Sequence, residues 1–190
     1  MRRPQPPPLR LEPRGGWKVV PSAGGALQRA WCAFEFYLTH KLEKPFFINT
    51  KEGPLQLLQK PSAEAQCWVE HLFGMLQLLD IEKAEATEPS DLRMIQGEVA
   101  KYVGTGVWEG YTGADALNRL LKSLVATQVI HVVVKDSNAD AVAEALRVKA
   151  DPNTRDPRGL PPLTYALAAG GHSAAAMSRS LLEHGAVKED

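Results

Sequence analysis

Asp156-Pro157-Arg158-Gly159-Leu160-Pro161-Pro162-Leu163-Thr164-Tyr165-Ala166, followed later by Leu181-Leu182-Glu183-His184-Gly185-Ala186, decides how this chain is read. Asp156 and Gly159 belong to a turn that needs a residue tolerant of positive φ. Pro162 suits a first helical turn, where its missing N–H costs nothing. Leu163 and Ala166 pack inward, and the small alanine lets a second helix come close. Leu181 and Leu182 bury that second helix, and Gly185 suits a left-handed cap at its end. The stretch therefore predicts a turn and two paired helices.

Together with Asp151-Pro152-Asn153 upstream, these residues resemble an ankyrin repeat. Ankyrin repeats carry no chemistry of their own; they are stacked helix pairs whose loops and concave face bind other proteins. Asp136 to Ala150, with Ala139, Val142, Leu146 and Val148, resembles the outer helix of a degenerate preceding repeat, with Lys149 where the family usually has glycine. Two departures stand out. The family's Thr-Pro-Leu-His is Pro161-Pro162-Leu163-Thr164 here, which removes the usual turn hydrogen bonds and implies a less rigid turn. Gly159 to Gly185 is also about three residues longer than the family spacing, with the slack at Gly170-Gly171-His172-Ser173-Ala174. The resemblance covers residues 129–190, about one and a half repeats, and such arrays need about three to stand alone. The segment is thus expected to dock on what precedes it, to dimerise, or to be marginal. The resemblance implies a partner-binding surface at Asn153, Thr154, Arg155, Arg158, Thr164 and Tyr165.

Further upstream, Thr112 and Gly113 open a helix with Ala116, Leu117, Leu120, Leu121 and Leu124, and Val129 to Val134 is a β-branched run that reads as strand or buried helix end. Ser90 or Asp91 caps a helix carrying Leu92, Ile95, Val99 and Val103, which Gly104-Thr105-Gly106 breaks. Trp108 and Tyr111 lie between glycines and read as an exposed aromatic loop. Ser62 caps a long helix with Cys67, Trp68, Leu72, Met75, Leu76 and Leu79. Phe46-Phe47-Ile48 reads as a buried strand of a parallel sheet, and Leu55 to Leu58 as a second short one. Leu27, Ala30, Trp31, Phe34, Leu38 and Leu42 place one apolar face on a helix that Pro45 ends.

Within that helix, Arg29-Ala30-Trp31-Cys32-Ala33-Phe34-Glu35-Phe36 resembles the Trp-Cys-x-x-Glu helix of TIR-like domains. Asp80 to Ala86, Ser90-Asp91, Met94-Ile95 and Asp115 to Leu121 are similar to segments that follow it in that family. The fold this implies is α/β and helix-rich: a partial flavodoxin-like, TIR-like module at 26–128, followed by the ankyrin segment. In catalytically active TIR domains that glutamate helps to cleave NAD, which makes Glu35 the alternative catalytic residue. The family's first strand and phosphate-proximal loop lie upstream of this helix, and no glycine-rich phosphate loop follows a strand here. A half-site does not position a dinucleotide.

Residues 1–25 hold Pro4, Pro6, Pro7, Pro8 and Pro13 with Arg2, Arg3, Arg10, Arg14 and Lys18, and read as a disordered basic tail. No apolar core follows the arginines, which excludes a secretory signal. Twenty-two basic and 22 acidic residues balance, so there is no general attraction for nucleic acid or anionic membrane. No continuous apolar run approaches the roughly 18 residues of a membrane span. Cys32 and Cys67 sit in helical patterns and read as buried thiols, consistent with a cytoplasmic setting. The scattered histidines make no zinc spacing, and no cofactor is implied. The reading expected from all this is a non-enzymatic adaptor or scaffold that binds a protein. An NAD-cleaving TIR-like enzyme and a degenerate fragment without selected function are the alternatives, and oligomeric state is left open.

Overall fold

The computed structural model describes residues 29–44, 48–50, 53–54, 74 and 79–188, and every structural statement below concerns those residues. The expected strand at Leu55–Leu58, the helix from Ser62 with Cys67 and Trp68, and the 1–25 tail lie outside them.

Six α-helices follow in order: α1 Ala30–Lys41, α2 Pro89–Val99, α3 Gly113–Lys135, α4 Ala139–Arg147, α5 Pro162–Ala169 and α6 Gly171–Glu183. Ala30, Ala33, Phe34 and Phe36 bury α1, and Ile95 and Val99 bury α2. Trp31 is on the outer side at 37% exposure, with its indole N–H donated to Asp91 Oδ2 at 3.0 Å. Tryptophan keeps its polar edge wet in this way while its rings pack. Leu42 is exposed, because α1 stops before it. The 102–113 loop folds back on itself through bonds from Gly104 N to the Tyr111 carbonyl (3.0 Å) and from Gly113 N to the Tyr102 carbonyl (2.8 Å). Trp108 is consequently buried rather than exposed, and Arg119 covers the Tyr111 ring at 4.1 Å.

The α/β expectation is overturned. The described residues are helical, and the strands among them are β1 Asn49–Thr50 and β2 Gly53–Pro54, a two-residue antiparallel ladder. No parallel sheet of flavodoxin type is present among them. Phe46 and Phe47 fall outside the described residues, and Ile48 is buried. The β-branched Val129–Val134 run is not a strand but the second half of α3. β-Branched residues have only a mild preference against helix, and complete burial of this run outweighs it. Val129, Ile130, Val132, Val133 and Val134 are all buried, continuing Leu117, Leu121 and Val125 of the same helix. α3 thus runs unbroken across the 128/129 boundary drawn from sequence. By length and composition it is also the described helix apolar enough to cross a membrane, with 61% of that window buried inside the protein.

The C-terminal half is two stacked helix pairs. α4 folds back on α3, α6 folds back on α5, α5 lies against α3 and α6 against α4. Val142, Ala145 and Leu146 of α4 meet Met177 and Leu181 of α6 in one core, which is continuous with α1 and α2. Four helices end the same way. Glu43, Ser137, Lys149 and Gly185 have φ of 52°, 57°, 66° and 92°. At each, that residue's N–H bonds three residues back and the next N–H bonds five back, as in Lys149 N to Leu146 O and Ala150 N to Ala145 O. Gly185 N to Leu182 O and Ala186 N to Leu181 O repeat the pattern. This double bond to the last carbonyls is the Schellman cap.

Candidate functional site

The 151–160 segment connects the two helix pairs, and Asp156 organises it. Its Oδ1 accepts from Arg158 N at 2.9 Å and from Leu160 N at 3.1 Å. Its backbone bonds both ways, N to the Leu160 carbonyl (3.1 Å) and carbonyl to Gly159 N (2.8 Å). Gly159 sits at φ 81°, where a side chain would be strained. Oδ2 accepts from the Tyr165 hydroxyl at 2.6 Å and lies 3.8 Å from Lys135 Nζ. That ammonium stands 4.5 Å over the Tyr165 ring. His131, one helical turn before Lys135 on α3, reaches the Leu160 carbonyl with Nε2 at 2.9 Å and meets Tyr165 edge to face at 6.1 Å. Asp156, Tyr165, Lys135 and His131 hold the turn.

Burial sets the electrostatics of this cluster. It pushes the Asp156 carboxyl up, but the bonds from Tyr165, Leu160 and Arg158 outweigh it, and the group sits below the ordinary carboxylate range. Burial lowers the Lys135 ammonium, against the pull of Asp156. Burial also lowers the His131 imidazole, against the Leu160 bond and Asp156. Tyr165 is raised, first by burial and then by its bond to Asp156.

The residues expected to bind a partner divide into two groups. Arg155, Arg158 and Thr164 are exposed, with Arg155 Nη1 donating to the Gly159 carbonyl at 2.6 Å. Tyr165 is half-buried and turned into the cluster. Asn153 is a clasp between loops: Oδ1 accepts from Val187 N at 2.8 Å, and Nδ2 donates to the Gly185 carbonyl at 2.9 Å. Thr154 is half-buried beside it. Two exposed leucines, Leu160 at 36% and Leu167 at 61%, extend the exposed group. Leu167 lies one turn after Thr164 on α5. Sequence reasoning missed His131 and Lys135, although a polar pair one turn apart inside an apolar run was a visible signal.

Glu35 lies apart from this cluster, half-buried on α1, with its carboxyl raised by burial. Cys32, one turn earlier, is raised first by burial and then by the Glu35 charge. A groove is lined by Ile81, Glu82, Gln96, Val99, Ala100 and Ala114, and Glu35 is not among its walls. Among the described residues no three His, Cys, Asp or Glu side chains gather as a metal site would require. No protein family, curated protein or solved structure matches the chain.

Proposed function

We propose that the chain is a non-catalytic protein-binding module, an adaptor or scaffold of ankyrin type, whose partner docks on the 155–160 turn and the outer face of α5. One observation carries the reading: Arg155, Arg158, Leu160, Thr164 and Leu167 are exposed on a turn and helix anchored from beneath by Asp156, Tyr165 and Lys135. A surface that is already rigid loses little conformational entropy when it binds. Arginine is also among the residues enriched at the energetic centres of interfaces. Stacked helix pairs present their connecting turns on one edge, which gives a partner several anchor points at once.

The test avoids Tyr165 and the exposed Asn153, whose side-chain bonds hold the fold, and uses other exposed positions. The parent chain and the Arg158→Glu and Leu167→Asp variants are used as bait under matched conditions, with thermal melts of all three. At least one protein is expected to be retained by the parent and reduced tenfold or more with both variants, while the melts coincide. Identical retention profiles with matched melts sink the proposed face.

A further inference from the structure

His131 on α3 is 1% exposed. Its Nε2 lies 2.9 Å from the Leu160 carbonyl oxygen, which only accepts, so Nε2 carries the proton and Nδ1 the lone pair. Nδ1 is buried and has no hydrogen-bond partner among the described residues. A proton added there creates a buried cation whose new N–H meets no acceptor among the described residues. The charged surroundings do not absorb it. Lys135 on the same helix brings a second cation, and the turn brings Arg158 as a third. Asp156 is the opposing charge, already shared by two backbone amides, the Tyr165 hydroxyl of α5 and the Lys135 ammonium. α4 turns Val142, Ala145 and Leu146 inward; its Asp140 and Arg147 are exposed, and half-buried Glu144 bonds Arg147. α6 buries Ala174, Met177, Ser178 and Leu181, and its His172, Arg179 and Glu183 are exposed.

We propose that His131, with the Asp156–Tyr165–Lys135 group beside it, is an acid-sensitive latch: the neutral imidazole pins the 156–160 turn to α3, and protonation releases it. The released turn carries Arg158 and Leu160, so acidification would remove the binding face proposed above; that consequence rests on the binding reading, whereas the latch does not. The direction follows from burial, which puts the folded-state pKa of His131 below its ordinary value of 6.5. The latch is therefore at full strength above about pH 6.5 and is lost as pH falls through the lower folded value, with one proton taken up on opening. Asp156 is lowered from 3.8 and acts only in a separate window, more acidic than that value.

The latch is tested on the full chain with no partner present. Hydrogen exchange at the Gly159 and Leu160 amides is followed from pH 7.5 to 5, corrected for the intrinsic pH dependence of exchange. Opening is expected to increase by up to about tenfold per pH unit below 6.5 in the parent, the limit for one proton. His131→Gln keeps an N–H near the Nε2 position and cannot take the proton, so its opening should be flat over the same range. The ring nitrogens of His131, followed by NMR, should show the Nε2–H tautomer titrating below 6.5. A flat parent, an equal slope in both chains, or an imidazole titrating at or above the ordinary value overturns the latch. Should His131→Gln not fold, the parent's ring titration decides alone.

Discussion

The two C-terminal helix pairs are built to one plan and differ in how they reach it. α4 starts on Asn138, whose side chain accepts from Ala141 N at 3.0 Å, and ends on Lys149 in a left-handed conformation. α6 starts after Gly170 with no side-chain cap and ends on Gly185. The first pair is covered on both sides, by the second pair and by the α1–α2 region. The second pair is covered on one side, and Leu167, Leu182 and Val187 remain exposed on it. The better-covered pair thus tolerates a strained lysine where the less-covered pair has glycine. Tertiary burial in one pair takes the place of local preference in the other.

The largest test of this comparison is a pair of core truncations. Leu146→Ala in α4 and Leu181→Ala in α6, each at 1% exposure or less, should each cost about 3 kcal/mol. If the two pairs are one cooperative unit, denaturant unfolding stays single-step in both variants. A separate early transition in Leu181→Ala alone would show the second pair melting off the first. Leu182→Ala, beside Leu181 but 39% exposed, should change stability by less than about 0.5 kcal/mol.

A cap exchange sharpens the contrast at a smaller scale. Lys149→Gly relieves a non-glycine residue at φ 66° and should gain about 1 kcal/mol. Gly185→Lys introduces the same strain at φ 92° and should cost about 1–2 kcal/mol. Melting temperatures that move together rather than apart would mean that the two caps are not equivalent.

The smallest expected effect concerns the other end of the chain. A binding module whose surface lies on the second helix pair predicts no NAD loss above buffer, and no change on Glu35→Ala. Turnover by the parent that Glu35→Ala abolishes would move the functional centre to α1.

Legibility followed the chemistry of each position. Gly185 announced its cap because glycine is the residue that pays no steric cost at positive φ. Glu43, Ser137 and Lys149 make the same hydrogen bonds with their backbones, and backbone bonds leave no mark on residue identity. The turn is readable from Asp156 and Gly159, whereas the missing Thr and His of the ankyrin pattern imply a looser turn than the one that forms. The replacements, Lys135 and His131, come from a distant part of the chain. The ankyrin resemblance implies Tyr165 on the binding surface; its hydroxyl turns inward to Asp156 instead. The Val129–Val134 run was ambiguous for a physical reason: a fully buried segment has no polar face, so neither the strand nor the helix period can show.

Local rules were enough to locate the turn at 156–159, the start of α5 at Pro162, the inward Leu163, Ala166 and Leu181 and the cap at Gly185, because each depends on a residue's own backbone freedom or spacing; Leu182, expected inside with Leu181, is exposed. Long-range packing settled the rest. It turned Val129–Val134 into helix, removed the expected sheet from the described residues, buried Trp108, and brought His131, Lys135, Asp156 and Tyr165 together. Those outcomes depend on which surfaces lose water against which, and that is a property of the assembled core rather than of any short stretch of chain.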